Sequence, residues 1–219
     1  MRRKLKVSRH LLRCLLHVKR KRNNTMPIED NVIRQSITNA RELLKKVAEE
    51  IEAIQFPPPI CFEIQTNNLS DKYINDILKS VPAGYAQEFK ETDFIYIFKL
   101  LEADDQIKVQ ITSDFTDSRS LQQATDFEGK KDFCRVNDVT SDYLYIGRSQ
   151  KLRSRLKQHL DAGSEGIFAM HMLRWGTGIN CKIEISYYRF DKLDNLIIQA
   201  LEDGLWQSFI PMFGRKGEK

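Results

Sequence analysis

The feature of the sequence that most constrains the fold is the stretch Phe94–Leu100, in which Lys99 is the single charged residue. Its other six residues are aromatic, isoleucine or leucine, a composition typical of a central β-strand. The longest apolar run of the chain lies here, and it is far shorter than the ~18–20 residues that a membrane span requires. The chain is therefore expected to fold around a buried sheet and to have no membrane-spanning segment.

Other segments of the chain are predicted to surround that strand. Tyr143–Gly147 and the alternating segment 182–190 are predicted to form two more strands. Apolar residues at helical spacing predict helices over three segments: 151–160, 167–175 and 193–209. This order of elements predicts an α+β fold with a small, mostly antiparallel, three-stranded sheet flanked by helices.

The predicted α+β domain occupies residues 89–219 and follows a region, 26–88, that is predicted to be helical. Between the first two strands, residues 102–141 are polar and mixed in character, which indicates an insertion into the domain. Within this insertion, Ile107–Ile111 is a candidate for an additional strand.

A heptad pattern of apolar residues marks the N-terminal region. Alternating steps of four and three residues separate seven apolar positions: Ile33, Ile37, Ala40, Leu44, Val47, Ile51 and Ile54. Such a seam predicts one long helix, which ends before Pro57–Pro59 because proline lacks the N–H and clashes with the preceding turn. The seam has two interpretations: the helix packs on its own domain, or residues 33–54 pair with the same helix of a second chain in a homodimer.

Residues 1–25 differ in charge from everything that follows. They contain ten Lys or Arg residues and no Asp or Glu, whereas the whole chain has a net charge of +5, so the remainder has a net charge of −5. Whole-chain charge is therefore no argument for nucleic-acid binding. The segment is interpreted as a phosphate-binding basic arm, as an Arg-rich targeting peptide, or as translation from a start upstream of Met26, and the last interpretation is favoured.

The cysteines favour a reducing compartment. Four are present, far apart and without the CxxC spacing of zinc sites: Cys14, Cys61, Cys134 and Cys181. Each is expected to be a small buried hydrophobic residue. Neither a zinc site nor a disulfide framework is predicted, and a cytoplasmic location is expected.

The segment 145–159 combines features suited to binding a phosphate. The predicted strand ends at Gly147, where the backbone permits close approach, and Ser149 is placed to cap the following helix. Three basic residues recur every four positions, so they share one face of that helix: Lys151, Arg155 and His159. Together with Tyr145, Arg148 and the free helix N-terminus, they are expected to converge on an anion. The alternative interpretation is a solvated basic helix face.

The predicted last helix carries a carboxylate where apolar packing is expected. Its apolar arc includes five residues: Ile197, Ile198, Leu201, Leu205 and Phe209. At ~100° per residue, Glu202 falls inside or at the rim of that arc, whereas Asp203 falls on the polar side. Because a buried carboxylate is unfavourable unless it is paired or binds a metal, Glu202 is either a metal ligand or the partner of a nearby arginine.

These residues resemble the signature of the GIY-YIG nuclease family over about residues 92–217. The segment Tyr145–Gly147, followed by Arg155, is similar to the YIG-and-arginine motif of that family. His159 stands where some members have a histidine and others a tyrosine. Glu202 matches the metal-binding glutamate of the last core helix.

The chain departs from the family at two places. In the first motif, Phe94–Tyr96 is the preferred candidate, which keeps the tyrosine on a strong strand but loses the glycine and requires the insertion at 102–141. The alternative, Phe133–Arg135, has the usual short spacing but places Cys134 where the tyrosine belongs. An asparagine near the end of the family domain is replaced by Gly214.

The resemblance implies a site for single-metal hydrolysis, with Glu202 holding Mg²⁺ or Mn²⁺, hard ions that prefer oxygen ligands. The catalytic residues that it implies are Tyr96, Tyr145, Arg155 and His159. A tyrosine hydroxyl or His159 would accept a proton from the attacking water, and Arg155 would stabilise charge on the phosphate. Arg148 and Lys151 are the expected phosphate-binding residues.

The function implied by the resemblance is that of a metal-dependent endonuclease that hydrolyses phosphodiester bonds in DNA, with DNA favoured over RNA. An alternative function keeps the fold without the chemistry: a catalytically inactive module that binds nucleic acid or assembles with partners. The completeness of the tyrosine and carboxylate set around Glu202 distinguishes the two.

Overall fold

The protein has an α+β fold built on one four-stranded antiparallel sheet, in a computed structural model that describes residues 30–83, 91–125, 133–161 and 167–217. The strands are β1 (Ile60–Gln65), β2 (Thr92–Leu101), β3 (Tyr143–Ser149) and β4 (Lys182–Asp191), in the order β1-β4-β2-β3. The helices of the described residues are α1 (Asp30–Glu52), α2 (Asp71–Ile77), α3 (Asp105–Thr125), α4 (Leu152–Leu160) and α5 (Asn195–Phe209). The α+β class and the antiparallel sheet predicted from the sequence are confirmed.

Strand β2 lies between β3 and β4 and pairs with both. Five consecutive residues of this strand are buried: Phe94, Ile95, Tyr96, Ile97 and Phe98. The main core contains Tyr96 and its same-face neighbours, and a smaller core forms around Ile95 and Ile198. The aromatic and β-branched run is thus covered on both faces, which confirms the predicted central strand.

Strand β1 is a correction to the predicted sheet, which has three strands and no strand within the helical region 26–88. β1 pairs antiparallel with β4 along its whole length. Residues of alternating positions face the core, since Ile64 is buried and Phe62 packs against the core cluster. This pairing joins residues 60–65 to the sheet, and they belong to the compact unit Val47–Lys219.

The predicted insertion, 102–141, contains the helix α3 and not the candidate strand at Ile107–Ile111. Ile111 and Phe115 lie four residues apart, on one face of the helix, and both are fully buried. The Phe115 ring stacks on Phe213 with centroids 4.1 Å apart. Helical spacing brings both apolar side chains to the same side, so the inserted helix is part of the core.

Residues 167–175 do not form the predicted helix. His171 has a left-handed backbone conformation (φ 49°), which interrupts a regular helix, and the chain makes short 3₁₀ turns at Met172–Arg174 and Gly176–Gly178 instead. The other predicted helices and strands of the domain form within a few residues of their expected bounds. The spacing of apolar residues in this segment therefore indicates which side chains are buried, but it does not indicate a helix.

Helix α1 has the predicted length, and three of its seam residues are exposed: Ile33 by 47%, Ile37 by 56% and Leu44 by 67%. Ile54, at the end of the seam, packs against the smaller core. None of the helices in the described part of the chain has the length and hydrophobicity needed to cross a membrane.

Two of the cysteines are buried as predicted, Cys134 and Cys181. Cys61 is exposed, because it lies on the edge strand β1 and alternates with the core-facing Phe62. Cys14 and the basic segment 1–25 lie outside the described residues.

Candidate active site

The register between β2 and β3 places two tyrosines side by side. Tyr96 lies opposite Gly147, and the rings of Tyr96 and Tyr145 are within 7° of parallel, with centroids 6.1 Å apart. A Cβ atom at Gly147 would lie 2.6 Å from the Tyr96 hydroxyl oxygen and 2.8 Å from Tyr145 Cε1. The glycine is therefore required by the close approach of the two tyrosines.

Arg155, on α4, joins the two tyrosines. Its Nε donates to Tyr96 Oη (3.2 Å), and its Nη2 donates to Tyr145 Oη (3.3 Å). The same guanidinium donates to Gln158 Oε1 (3.0 Å) and to the carbonyl oxygen of Phe168 (2.9 Å). Four acceptors therefore hold this planar group in one orientation at the tyrosine pair.

His159 contacts Tyr96 from the protein interior and is fully buried. The backbone N–H of Met170 donates to Nδ1 (3.3 Å), which assigns the ring proton to Nε2. Nε2 lies 3.1 Å from Tyr96 Oη and donates to it. Burial, followed by the positive charge of Arg155, lowers the pKa of His159, so the imidazole is neutral.

The basic face predicted on this helix is not one continuous surface. Helix α4 begins at Leu152, so Lys151 precedes it, and Ser149 Oγ accepts a hydrogen bond from the Lys151 backbone N–H (3.0 Å) without capping the helix. Lys151 is exposed, Arg155 is partly buried, and His159 points into the core. A neutral histidine is apolar enough to pack beside the buried leucines of this helix, Leu152, Leu156 and Leu160, and His159 therefore faces the core and not the solvent.

The Tyr96 hydroxyl oxygen accepts hydrogen bonds from Arg155 and His159, which uses both of its lone pairs. Its own proton is then left to donate into the cleft that Tyr96 lines. Burial raises the pKa of Tyr96, and Arg155 opposes that rise. Two aimed N–H donors thus favour the ionised phenol, whereas the buried surroundings oppose it.

Glu202 lines the same cleft from α5. Its side chain is 14% exposed, and its Oε2 lies 3.3 Å from Arg148 Nε. Gln199 Nε2 also donates to Oε2 (3.3 Å). Burial raises the pKa of Glu202 to about 7, although Arg148 lowers it. Near neutral pH the carboxyl group is therefore poised between its two forms, and a cation beside it would favour the carboxylate.

Arg148 is held by one face of α5. Its Nη1 donates to Asn195 Oδ1 (2.8 Å), its Nη2 donates to Gln199 Oε1 (3.0 Å), and its Nε faces Glu202. These three partners lie at positions i, i+4 and i+7 of the helix, which share one side. Sequence reasoning missed Asn195 and Gln199, although counting back from Glu202 by helical spacing would have identified both.

Residues of β2, β3, α4 and α5 line one cleft of about 640 Å³. The cleft brings together six of the predicted site residues: Tyr96, Tyr145, Arg148, Lys151, Arg155 and Glu202. His159 does not line the cleft and contacts it through Tyr96. Sequence reasoning also missed four polar residues of the lining: Asp93, Gln150, Ser154 and Gln158.

The donor set of the cleft fits one kind of metal ion. Within the described ranges, no group of three or more Asp, Glu, His or Cys side chains is clustered as a metal site requires. Glu202 and Asp93 are the carboxylates among the described residues that line the cleft. Mg²⁺ keeps several waters and binds through one or two carboxylates plus substrate phosphates, so Glu202 suits it as the protein anchor.

The presence of glycine at position 214 also has a structural reason. Its φ is 93°, in the region that favours glycine, and a Cβ atom there would lie 2.8 Å from Tyr145 Cε2. The Tyr145 ring therefore occupies the space that an asparagine side chain would need at this position.

The chain matches no protein-family model, no curated protein and no solved structure. What the protein does must therefore be inferred from the geometry of its cleft.

Proposed function

We propose that the protein is a metal-dependent endonuclease that hydrolyses phosphodiester bonds in DNA. The observation that carries this proposal is the convergence of four side chains on one cleft: Tyr96, Tyr145, Arg155 and Glu202. They supply a proton acceptor, a ligand for the phosphate and an anchor for a cation, the groups that phosphodiester hydrolysis needs. The resemblance to GIY-YIG nucleases supports the same assignment.

Tyr96 is the proposed acceptor of the proton from the attacking water. As a neutral phenol Tyr96 has no free lone pair, and burial raises its pKa, so it can accept that proton only after its own proton has left through the cleft. The N–H donors of Arg155 and His159, together with a cation held by Glu202, would stabilise the phenolate that this requires. His159 is neutral and buried, and it does not line the cleft. We therefore assign His159 the role of positioning the Tyr96 hydroxyl, and not that of the base itself.

The remaining residues bind charge. Mg²⁺ or Mn²⁺ held by Glu202 would lower the pKa of a bound water and polarise the phosphate. Arg155 stabilises negative charge that develops on the phosphate, because its guanidinium is already oriented at the tyrosine pair. Lys151 attracts the phosphate at the exposed side of the cleft, and Arg148 orients Glu202 while keeping further N–H donors for an oxygen.

Cleavage of a supercoiled plasmid with Mg²⁺, with Mn²⁺ and with EDTA tests this function. The parental protein should cut only with a metal, and Tyr96→Phe should lower the rate at least about 100-fold, as expected for loss of a general base. Tyr188→Phe is the matched control, because Tyr188 packs with Phe56 in the smaller core. A folded protein that never cuts, or a Tyr96→Phe variant that cuts at the parental rate, would reject the assignment.

The alternative function is a catalytically inactive module that binds nucleic acid or assembles with partners. The observation in its favour is that Arg148 already neutralises Glu202 within the protein. Binding of DNA without cleavage under any of the three metal conditions would favour this alternative.

We also propose that α1 pairs with a second copy of the chain. The exposed seam of α1, formed by Ile33, Ile37 and Leu44, has the heptad spacing of a two-helix interface. Burying apolar side chains that are roughly half exposed in one copy is the driving force.

A further inference from the structure

A second cavity, of about 490 Å³, lies beside the cleft and shares Tyr145 and Arg155 with it. We call it the arginine pocket, after the four arginines that line it: Arg119, Arg135, Arg155 and Arg215. No Asp or Glu is found among the described residues of its lining. Because residues 26–219 together have a net charge of −5, this positive charge is a local feature of one surface.

Three of these arginines have no anionic partner among the described residues. Arg119, Arg135 and Arg215 form no ion pair with a carboxylate of the described ranges. The Nε of Arg119 is buried and lacks a hydrogen-bond acceptor in the described part of the chain. A buried donor without an acceptor is unfavourable, so the fold holds Arg119 at the pocket at a cost in stability.

The pocket also has a neutral floor and an aromatic side chain at its wall. Burial raises the pKa of the Cys134 thiol to about 12, so the thiol stays protonated and does not repel an anion. Phe168 is 55% exposed, and its carbonyl oxygen accepts a hydrogen bond from Arg155, which anchors its backbone at the pocket. Cations beside an exposed aromatic ring are the combination that binds single-stranded nucleic acid, by phosphate contacts and base stacking.

We infer that the arginine pocket binds an unpaired nucleotide that flanks the scissile phosphate. Arg119, Arg135 and Arg215 hold the phosphate of that nucleotide, and its base stacks on Phe168. Arg155 lines both cavities, so one strand can run from the cleft into the pocket past this side chain. The face of a base is covered within a duplex, so the DNA must be single-stranded at this point.

Helix α3 lies in the insertion and carries Arg119. The insertion therefore contributes to the proposed preference for an unpaired nucleotide. The inference rests on the proposed nuclease function for the position of the scissile phosphate. Recognition of an unpaired strand by the pocket does not itself require cleavage, so binding and cleavage can be tested separately.

The test measures binding of the full chain to a labelled oligonucleotide, single-stranded or as a duplex, by fluorescence anisotropy in EDTA. The parental protein should bind the single strand about tenfold more tightly than the duplex. Arg135→Gln/Arg215→Gln should lower single-strand affinity about tenfold and flatten its salt dependence. The matched control is Arg34→Gln/Arg41→Gln, which removes two exposed arginines from α1, and it should change affinity less than about twofold.

Phe168 supplies the second arm of the test. Phe168→Leu should lower single-strand affinity about tenfold and leave duplex affinity unchanged, whereas Phe168→Tyr should retain stacking and affinity. Equal losses in the two double-arginine variants, or a Phe168→Leu variant that binds like the parent, would overturn the inference. A parental protein with no preference for the single strand would also overturn it.

Cleavage with Mg²⁺ is then measured on the same proteins. If the parent binds the single strand through the pocket but does not cut, the pocket is supported and the proposed nuclease function is rejected. If the parent cuts but the pocket variants bind like the parent, the nuclease function is supported and the pocket is rejected.

Discussion

The electrostatics of the cleft depend on the carboxyl group of Glu202. Burial raises its pKa to about 7 in spite of the Arg148 ion pair, so the loss of hydration outweighs the pairing. The folded-state pKa lies above the reference value of 4.5. Ionisation of Glu202 therefore destabilises the fold: this cost is absent well below pH 4.5, grows as pH rises towards about 7, and is complete above that.

Glu202→Gln should remove this cost together with the proposed metal ligand. In EDTA the variant should match the parent near pH 4 and exceed it at pH 8 by up to about 3 kcal/mol, since one pKa unit corresponds to ~1.4 kcal/mol. Denaturant unfolding at the two pH values measures this difference. Plasmid cleavage with Mg²⁺ should fall by orders of magnitude, because the anionic ligand is lost.

The salt-bridge interpretation of Glu202 predicts the opposite. Arg148 would lose its charged partner, and the variant would be less stable than the parent at pH 8. Asn195 and Gln199 still accept hydrogen bonds from Arg148 in either case. A destabilised Glu202→Gln protein that cuts at near the parental rate would remove the metal assignment.

At the scale of secondary-structure elements, helix α3 differs from the expected polar insertion with a candidate strand. Ile111 and Phe115 place it in the core, and Arg119, one turn further on, reaches the arginine pocket. The sequence of this segment is polar and mixed in character, because its few apolar residues are divided between the buried Ile111 and Phe115 and the exposed Val109 and Leu121. One element thus contributes both to stability and to the proposed binding of the substrate.

Helix α1 carries the prediction that belongs to this scale. Ile37→Glu/Leu44→Glu places charges on the exposed seam and should convert a dimer into a monomer, because like charges would meet across the interface. Light scattering coupled to size exclusion measures the mass. Gln35→Glu/Asn39→Glu, off the seam on the same helix, is the control and should leave the dimer intact. A parental protein that is monomeric at every concentration would contradict the proposal.

At the scale of the whole molecule, charge is separated along the chain. Residues 1–25 carry ten basic residues, whereas the rest of the chain has a net charge of −5. The described core lies within the compact unit Val47–Lys219. If the protein binds DNA as proposed, two separate sources of positive charge would attract it, the N-terminal segment and the arginine pocket.

Deletion of residues 1–25 should leave the melting transition cooperative and shift Tm by less than about 2 °C, because the sequence of this segment has no pattern that predicts packing into the core. Differential scanning calorimetry measures the transition. If the segment is a phosphate-binding arm, the truncated protein should also bind DNA more weakly and with a smaller salt dependence. Loss of the cooperative transition would show that the segment contributes to the fold.

Much of the fold and of the site was accessible from local sequence patterns. The run Phe94–Leu100 predicted the central strand, and Tyr143–Gly147 predicted its neighbour, which continues in the structure to Ser149. Helical spacing placed Glu202 at the rim of a buried arc, where the structure has it at 14% exposure. These inferences succeed because the periods of strands and helices are properties of the backbone that short segments express on their own.

The sequence by itself determined the class of fold, the central strand and the residues that could meet in a cleft. Only the tertiary structure decided that β1 joins the sheet, that His159 is buried against Tyr96, and that Arg119 lies near Arg155. Each of these depends on partners far away in the chain, whose identity no local period reveals. Burial and pairing are decided by the whole set of contacts, since the free energy of a side chain depends on what surrounds it.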